Sequence, residues 1–338
     1  MNGALRGLVL LAALTLAACH GPQNILDPAG KQAQDIDVVW RTMLVVCGLM
    51  YLLVMAFLGS ALWRARRKPS DDALPIQSRT AAEGVLDRTL TGWIGLIVTG
   101  LIVLVSVSFL VDRSLADVGP DPLRIKVTAN QWWWDVEYQG QGPSERVLTA
   151  NELRLPVGRP AVVELHANDV IHSFWVPNLS GKTDLIPGRV NFITLTPTRT
   201  GAFRGQCAEF CGLEHAKMAF DVQVTSPQEF EAWRRSQLAR AADPTGPLEI
   251  QGKQIFNGKA CAMCHRVQGT DAGAGIGPDL THLKSRATIA AGTLPNTRGD
   301  LQAWVADPQG VKPGTTMPRV PLTASELNAV VAYLETLR

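Results

Sequence analysis

The chain has 338 residues, and its 32 Lys and Arg against 30 Asp and Glu leave a formal net charge of only +2. This length predicts two or more folded units. The small net charge, with no basic stripe in the polar region, gives no case for a nucleic-acid partner. Residues 1–111 are dominated by apolar runs, whereas residues 112–338 have a soluble composition with turns rich in Gly and Pro.

The first apolar run, from Leu8 to Ala18, is short, follows Arg6 and ends in small residues. These features are typical of an export signal, so we predict a signal peptide at residues 1–18. Its end, LAAC, resembles the bacterial lipoprotein signal, which implies that Cys19 becomes the lipidated first residue. The alternative is a plain cleaved signal that happens to contain a cysteine.

The next two runs, 42–63 and 89–111, contain no charged residue. Each can cross a hydrocarbon core of ~30 Å as a helix, which needs about 20 residues. The basic cluster at 64–68 marks the loop between them as cytoplasmic. We therefore predict a multi-pass protein of the bacterial plasma (inner) membrane. Residues 19–111 would hold a transmembrane hairpin, and the rest of the chain would lie on the periplasmic or outer face.

The soluble part begins with β-strand signals. LRIKVTANQWWWDVEY (123–138) alternates and is rich in β-branched and aromatic residues, which predicts a strand. Segments 159–169, 189–203 and 218–226 have the same pattern. Several short strands separated by Pro and Gly turns predict a β-sandwich or small barrel over residues 112–225.

The composition changes at Pro227. Residues 229–241 have the pattern of a polar helix, and ADPTGP at 242–247 is typical of a linker. We therefore predict a helix and linker at 226–247, joining the β domain to a largely helical domain that begins at Leu248.

The segment CAMCH is the pattern for covalent haem attachment. The thiols of Cys261 and Cys264 can each add to one vinyl group of the porphyrin, and His265 then lies under the iron as an axial ligand. The alternative is a redox or zinc CxxC followed by a chance histidine. Zinc would need two more ligands nearby, and only His282, which we expect at the surface, is available.

The haem iron needs a sixth ligand. Met263 lies inside the attachment loop on the proximal side, which leaves Met317, in a loop before the final helical segment. Residues 248–338 resemble the class I cytochromes c, and the resemblance implies that His265 and Met317 are the axial ligands. Such ligation raises the potential and suits an electron carrier. In the same resemblance, the carbonyl of Pro278 orients the proximal imidazole.

The segment GQCAEFCGLEHAKM places Cys207, Cys211, His215 and Met218 close together, and His172 lies in an earlier loop. A disulfide would leave the histidine and the methionine unexplained, and zinc rarely uses methionine. Thiolate, imidazole and thioether together form a copper ligand set. One thiolate would suit a mononuclear blue-copper site, whereas two thiolates that can each bridge suit a pair of copper ions.

HSFWVPNLSGKTDLIPGR (172–189) and GQCAEFCGLEHAKM (205–218) resemble the signatures of cytochrome c oxidase subunit II, which carries the binuclear copper centre CuA. With its haem domain, the chain is similar to the fused, caa(3)-type form of that subunit. The implied fold is a multidomain membrane protein with a two-helix transmembrane hairpin, an all-β cupredoxin-like (Greek-key) CuA domain and an all-α class I cytochrome c domain.

The resemblance also implies a complete copper ligand set. The implied ligands are Cys207 and Cys211 as bridges, His172 and Met218 on one copper, and His215 and the backbone carbonyl of Glu209 on the other. The side chain of Glu209 would reach a magnesium ion at the boundary with subunit I.

Trp132, Trp133 and Trp134 match the aromatic run of the family through which electrons enter. Trp132 and Trp133 are the candidates, with Trp132 favoured, and the alternative is ordinary core and rim packing on a strand. Glu83 and Asp87 are the candidates for a glutamate that the family places at the mouth of a proton channel, and neither is preferred.

The resemblance implies a subunit of a respiratory cytochrome c oxidase. It would accept electrons from cytochrome c or another donor at haem c and pass them through CuA to haem a of subunit I, where oxygen is reduced to water. Subunit III and the lipid bilayer are the further expected partners. Two alternatives are a CuA subunit of a nitric oxide reductase and a free-standing membrane carrier of electrons or copper. Two spanning helices argue against the carrier, because one lipid or one helix would suffice as its anchor.

Overall fold

The computed structural model describes residues 21–67, 79–140 and 142–338. The predicted signal peptide and Cys19 lie outside the described residues, as does the side chain of Glu83. The chain divides into two compact units, one formed by the described part of Gln34–Asp117 and the other by residues 21–33 together with the described part of Val118–Arg338.

The first unit contains two long helices, α1 (Lys31–Arg67) and α2 (Arg79–Leu115), of 37 residues each. They include the predicted spans and continue beyond them. At 1.5 Å per residue each helix is roughly 55 Å long, so only part of it fits within a ~30 Å hydrocarbon core. Both are long and apolar enough to cross a membrane, and their apolar side chains are exposed over much of their length.

The second unit begins with a β-sandwich. Its strands are β1 (Leu123–Asn130), β2 (Trp133–Tyr138), β3 (Val147–Ala150), β4 (Glu152–Pro156), β5 (Ala161–Ala167), β6 (His172–Trp175), β7 (Lys182–Leu185), β8 (Asn191–Leu195), β9 (Gly201–Cys207) and β10 (Ala219–Thr225). One five-stranded sheet has the order β3-β2-β1-β5-β8, and the other has the order β4-β10-β9-β6-β7. Alternate residues face inward, as in the burial pattern of β2, and fill the space between the sheets.

The prediction of one strand over 123–138 is wrong, because the segment is a hairpin. β1 and β2 are antiparallel, and Asn130 pairs with Trp133, so Gln131 and Trp132 form the turn. Glutamine and tryptophan are not typical turn residues, and the alternation of apolar residues continues on both sides of the turn. Nothing in the local sequence therefore marks the reversal. Segment 189–203 likewise contains β8 and the start of β9, which belong to different sheets.

A helical domain follows the sandwich. It also contains a small two-stranded sheet, formed by β11 (Thr288–Ile289) and β12 (Leu294–Pro295). α3 (Pro227–Gln237) comes first and packs against the sandwich core through Phe230 and Trp233. The helices of the helical domain itself are α4 (Pro247–Gly258), α5 (Cys261–Cys264), α6 (Arg298–Ala306), α7 (Pro308–Val311) and α8 (Ala324–Thr336). The helix predicted at 229–241 is present as α3, which begins and ends before the predicted bounds. Its start is determined by Ser226, which accepts a hydrogen bond from the amide of Glu229, while the Glu229 side chain accepts from the amide of Ser226.

The helical domain packs directly on the sandwich. The predicted helix and tether are therefore not the only connection between the two. The amide of Ala219 in β10 donates to the carbonyl of Ala291 at 3.0 Å. The hydroxyl of Thr288 donates to the carboxylate of Asp221 at 2.5 Å. The beginning of β10 thus bonds to β11 and the loop that follows it, which fixes the orientation of one domain on the other.

The segment that precedes α1 also belongs to the sandwich, which the sequence did not indicate. The amide of Ala29 donates to the carbonyl of Asn178 at 2.6 Å, and the amide of Arg204 donates to the carbonyl of Pro22 at 2.7 Å. Gly30 lies so close to Leu179 that an added Cβ would sit 2.5 Å from its carbonyl oxygen. This segment is therefore tied to the surface of the sandwich.

The crossing of α4 and α8 generates the first prediction. A Cβ on Gly252 would lie 1.9 Å from the carbonyl oxygen of Ala329 and 2.6 Å from its carbon. Since both are backbone atoms, the helices would have to separate. We expect Gly252→Ala to destabilise the fold by about 1–3 kcal/mol, as overpacking does. Thermal unfolding of the full chain, followed by circular dichroism, measures the change.

Gly258→Ala is the matched control, because an added Cβ there meets no atom within 4 Å. Alanine favours a helix over glycine by up to about 1 kcal/mol, so the control should be neutral or slightly stabilising. Equal destabilisation by the two variants would contradict the proposed close approach of α4 and α8.

Candidate metal centre and cofactor cavity

The predicted metal ligands converge because three neighbouring strands carry them. β9 lies between β6 and β10 in its sheet. Cys207 ends β9, where it pairs with Phe174 of β6, two residues after His172. The amide of Cys207 also donates to the carbonyl of Met218, just before β10, at 2.9 Å. The loop between β9 and β10 then brings Cys211 into the same cluster.

The two sulfur atoms of Cys207 and Cys211 are the centre of this cluster. Their Sγ atoms are 3.7 Å apart. The Cys207 Sγ lies 3.8 Å from the Nδ1 of His172, and the Cys211 Sγ lies 3.6 Å from the Nδ1 of His215. The donor atoms of His172 and both cysteines all lie within 4.8 Å of one another. One imidazole nitrogen therefore accompanies each thiol.

Two weaker donors complete the cluster. The Sδ of Met218 lies 3.8 Å from the Cys211 Sγ, and the main-chain oxygen of Glu209 lies 3.2 Å from the Cys207 Sγ. The side chains of Met218 and both cysteines are buried. All six residues predicted as metal ligands are thus brought together, and the set combines two thiols, two imidazoles, a thioether and a carbonyl.

The thiols are not joined as a disulfide, because a bonded pair of sulfur atoms would be about 2.05 Å apart. The hydrogen bond between the two thiols, with a further hydrogen bond between Cys207 and His172, lowers the pKa of Cys207. The same pairing raises the pKa of Cys211. A metal ion that binds both cysteines has to displace any thiol proton, since the thiolate is the ligand.

Asp169 orients one of the imidazoles, and sequence analysis did not identify it. Its Oδ1 lies 2.8 Å from the Nε2 of His172, which directs the Nδ1 of that ring toward Cys207. Burial lowers the pKa of His172, but the hydrogen bonds to Cys207 and Asp169 outweigh it and raise the pKa overall. Carboxylates commonly hold metal-binding histidines in this way. The only local signal was an aspartate three residues before the histidine.

A second site lies in the helical domain, where Cys261, Cys264, His265 and Met317 line one cavity. The Nδ1 of His265 lies 2.8 Å from the carbonyl oxygen of Pro278, as expected. Burial lowers the pKa of His265, which favours the neutral ring that a metal requires. The two thiols, the imidazole and the thioether therefore face the same space.

The walls of this cavity fit a porphyrin. They are mostly apolar and include Phe256, Leu283, Leu301 and Leu334. Arg286 also lines the cavity, and its buried Nε has no hydrogen-bond partner among the described residues. A buried guanidinium nitrogen of this kind needs an acceptor. The carboxylate groups of a haem are suitable acceptors, so the donor set and the wall both fit the predicted group.

The prediction that His282 lies at the surface is wrong. Its side chain is buried, with Nδ1 2.7 Å from the main-chain oxygen of Arg338 and Nε2 3.0 Å from that of Ala239. Both ring nitrogens are thus occupied by main-chain oxygens, so His282 joins the end of the chain to the segment after α3. It is not a ligand for a metal at the CxxC motif.

The three adjacent tryptophans have different surroundings. Trp134 is buried in the sandwich core, with its ring 6.3 Å from that of His172. Trp132 and Trp133 line the cavity of the helical domain. In addition, the indole Nε1 of Trp132 donates to the carbonyl of Cys211 at 3.0 Å. Trp132 therefore contacts both candidate sites.

Comparison with known proteins identifies the family. The model described as "Cytochrome C oxidase subunit II, periplasmic domain" matches residues 140–225, and the model described as "Cytochrome c" matches residues 250–338. Cytochrome c oxidase subunit 2 of Alkalihalophilus pseudofirmus is 37% identical over 331 residues, which cover 96% of this chain and 94% of the relative. The chain belongs to the cytochrome c oxidase subunit 2 family.

Other members are similar over the same extent. The subunit 2 proteins of Bacillus subtilis (strain 168) and Bacillus sp. (strain PS3) are each 32% identical, and the alignments cover 98% and 100% of this chain and 96% and 98% of the relatives. The chain is therefore an oxidase subunit with a fused C-terminal cytochrome c domain, through which electrons enter the complex. The two matched domains indicate copper and haem c as its metal groups, and two apolar helices indicate a two-pass membrane protein. The nitric oxide reductase and free-standing carrier alternatives are not favoured.

The spacing of the sulfurs generates the second prediction. Mild oxidation of the metal-free protein with a diazene such as diamide should join Cys207 to Cys211, since the sulfurs need to approach by only about 1.7 Å. The two thiols lose two hydrogen atoms to the diamide, and copper uptake should then be lost until the protein is reduced. Mass analysis of the tryptic peptide 205–217 reports the change.

Cys211→Ser is the control for this experiment and should show no loss of hydrogen within the peptide. Unchanged copper uptake after oxidation of the unmodified protein would contradict the assignment of the thiol pair to the metal centre.

Proposed function

We propose that this subunit passes electrons from a donor through haem c to a binuclear CuA centre, and on to haem a of subunit I, where oxygen is reduced to water. The observation that carries the proposal is the pair of unbonded thiols 3.7 Å apart, each accompanied by an imidazole. When bound, the two metal groups supply one-electron carriers that change little in geometry.

The proposed copper ligands divide into two sets. Cys207 and Cys211 would supply the two thiolates that hold both ions. His172 and Met218 would be the further ligands of one copper, and His215 and the carbonyl of Glu209 those of the other. Burial of the thiols and of Met218 excludes water from the centre, and the Asp169 carboxylate holds His172 in the binding orientation.

The proposed haem ligands all line one cavity. Cys261 and Cys264 would form the thioether bonds, and His265 and Met317 would be the ligands of the iron. The bond to the Pro278 carbonyl keeps the Nδ1 of His265 occupied, which leaves the Nε2 for the iron. With an imidazole and a thioether both available to the iron, a bound haem would serve electron transfer.

Trp132 is the proposed link between the two groups. Its ring lines the haem cavity, and its indole nitrogen donates to the carbonyl of the bridging residue Cys211. Trp133 lines the same cavity, but only the Trp132 indole is seen, within the described residues, to bond to a copper ligand, so Trp132 is preferred as the ring over which electrons pass.

The remaining assignments concern the complex. We propose that α1 and α2 place the sandwich and the helical domain on the outer face of the plasma membrane, with subunits I and III as neighbours. The exposed side chain of Glu209 suits a magnesium ion at the boundary with subunit I. Glu83 and Asp87 stay the two candidates for the proton channel, and lipidation of Cys19 stays a prediction.

The third prediction is the test of this function. The purified protein should contain two copper ions and one covalently bound haem. Met317→Ala should lower the haem potential by roughly 0.1 V or more, because the axial ligands set haem potentials over about 0.8 V. The copper spectrum should not change. Met218→Ala should alter the copper spectrum and leave the haem band unchanged, so each variant is the control for the other.

Zinc in place of copper, or haem that is lost on acid extraction, would overturn the proposed function. An unchanged haem potential in Met317→Ala would show that Met317 is not an axial ligand.

The fourth prediction concerns the proximal side of the haem. A Cβ on Gly277 would lie 2.8 Å from the Cε1 of His265 and 3.1 Å from its Nδ1. Gly277→Ala should therefore displace the ring and destabilise the axial bond by about 1–3 kcal/mol. We expect a larger high-spin fraction in the absorption spectrum. Gly273→Ala is the control, because an added Cβ there meets nothing within 4 Å. Identical spectra for the two variants would argue against His265 as the ligand.

A further inference from the structure

Lys312 is a buried lysine that no motif explains. It directly follows α7 in the helical domain and is only 2% exposed. Its Nζ donates to the main-chain oxygens of Trp132 and Lys217, each at 2.8 Å, and lies 3.5 Å from that of Ala290. Both short bonds therefore reach from the helical domain into the sandwich.

Burial of the Lys312 ammonium group costs free energy unless its N–H groups form hydrogen bonds. Burial disfavours the ammonium form and lowers the pKa of Lys312 to about 8. All three acceptors are peptide carbonyls and none is a carboxylate. A cation out of contact with water needs these bonds, because each unmet donor would carry the full cost of desolvation. The side chain is thereby restricted to one position at the interface.

The two residues that accept the short hydrogen bonds of Lys312 lie beside the candidate electron path. The peptide of Trp132 carries the indole that lines the haem cavity and donates to the carbonyl of Cys211. Lys217 immediately precedes Met218. Lys217 also bonds to the helical domain, since its own Nζ donates to the carbonyl of Val311 at 3.0 Å. Two lysines, one from each domain, thus bond reciprocally to the main chain of the other domain.

We propose that Lys312 is a positioning residue for electron transfer between the two metal groups: its hydrogen bonds to Trp132 and Lys217 fix the helical domain on the sandwich and hold Trp132 between the haem cavity and Cys211. The proposal rests on the proposed function, because it assumes that the cavity holds haem c and that the thiol cluster holds copper. A lysine that merely stabilised the helical domain would make its short bonds inside that domain, and both lead out of it.

Lys312→Met in the full-length protein, purified with its cofactors, tests the proposal. Methionine keeps most of the apolar stem and removes the donors. We expect both cofactors and their spectra to be retained, with a haem-to-copper transfer rate about tenfold lower after flash reduction, since bonds to a charged group shift an equilibrium by about that factor or more. Hydrogen exchange at the amide of Ala219, which bonds across the interface to Ala291, should be faster.

Lys284→Met is the matched control. Lys284 is partly buried and bonds to Glu335 and to the carbonyl of Asn296, and all of these residues lie within the helical domain. Neither the transfer rate nor the exchange of Ala219 should change in this variant. Lys312→Arg keeps N–H donors and should recover part of the rate.

Lys217→Met provides an independent measurement if Lys312→Met does not fold, because the Lys217 side chain is 40% exposed. It should slow transfer in the same direction but less. If the variants hold both cofactors and their electron-transfer rate and Ala219 amide exchange equal those of the unmodified protein, this proposal is overturned. The proposed function would not be affected by that result. Loss of copper from Lys312→Met would overturn this proposal as well, since Lys312 would then support the copper centre itself. Absence of copper or haem from the unmodified protein would overturn the proposed function and this proposal with it.

Discussion

The pairing of β9 with β6 on one side and β10 on the other is the constraint on which the candidate copper centre depends. Cys207 pairs with Phe174 across one strand boundary, and its amide bonds to the carbonyl of Met218 across the other. A slip of one residue in either register would turn the Cys207 thiol to the opposite face of the sheet. Residues from three separate stretches of the chain can share one metal only while both registers hold.

The loop between β9 and β10 depends on the same frame. It carries Cys211 and His215, and its position is supported from the β1–β2 turn, where the side chains of Gln131 and Trp132 both donate to the carbonyl of Cys211. Ligands held by strands and by such supporting bonds move little when the charge of a metal changes. A rigid site of this kind suits repeated gain and loss of an electron.

The same turn also links the sandwich to the cytochrome c domain. Trp132 lies at the wall of the haem cavity, and its carbonyl accepts a bond from Lys312. A short tether alone would raise the effective concentration of one domain near the other without fixing its orientation. The direct bonds across the interface add that orientation, so a single hairpin turn supports the copper loop and meets the haem domain.

The sequence by itself predicted the donor groups of both sites. CAMCH and the segment from Cys207 to Met218 place these donors at close spacing, and such spacing can be recognised without a fold. The two apolar runs were equally evident, since their length follows from the thickness of a bilayer. The overall β and helical character of the soluble parts followed from the period of the apolar residues.

Only the tertiary structure decided what lies between those motifs. The hairpin turn at Gln131 and Trp132 has no turn signal, and the burial of His282 depends on main-chain oxygens that lie 43 and 56 residues away. Lys312 bonds to Trp132 across 180 residues, so no local sequence pattern predicts this bond. The donors of a motif are neighbours in the sequence and can be recognised there, whereas the contact between the domains comes from packing surfaces that meet only after each domain has folded.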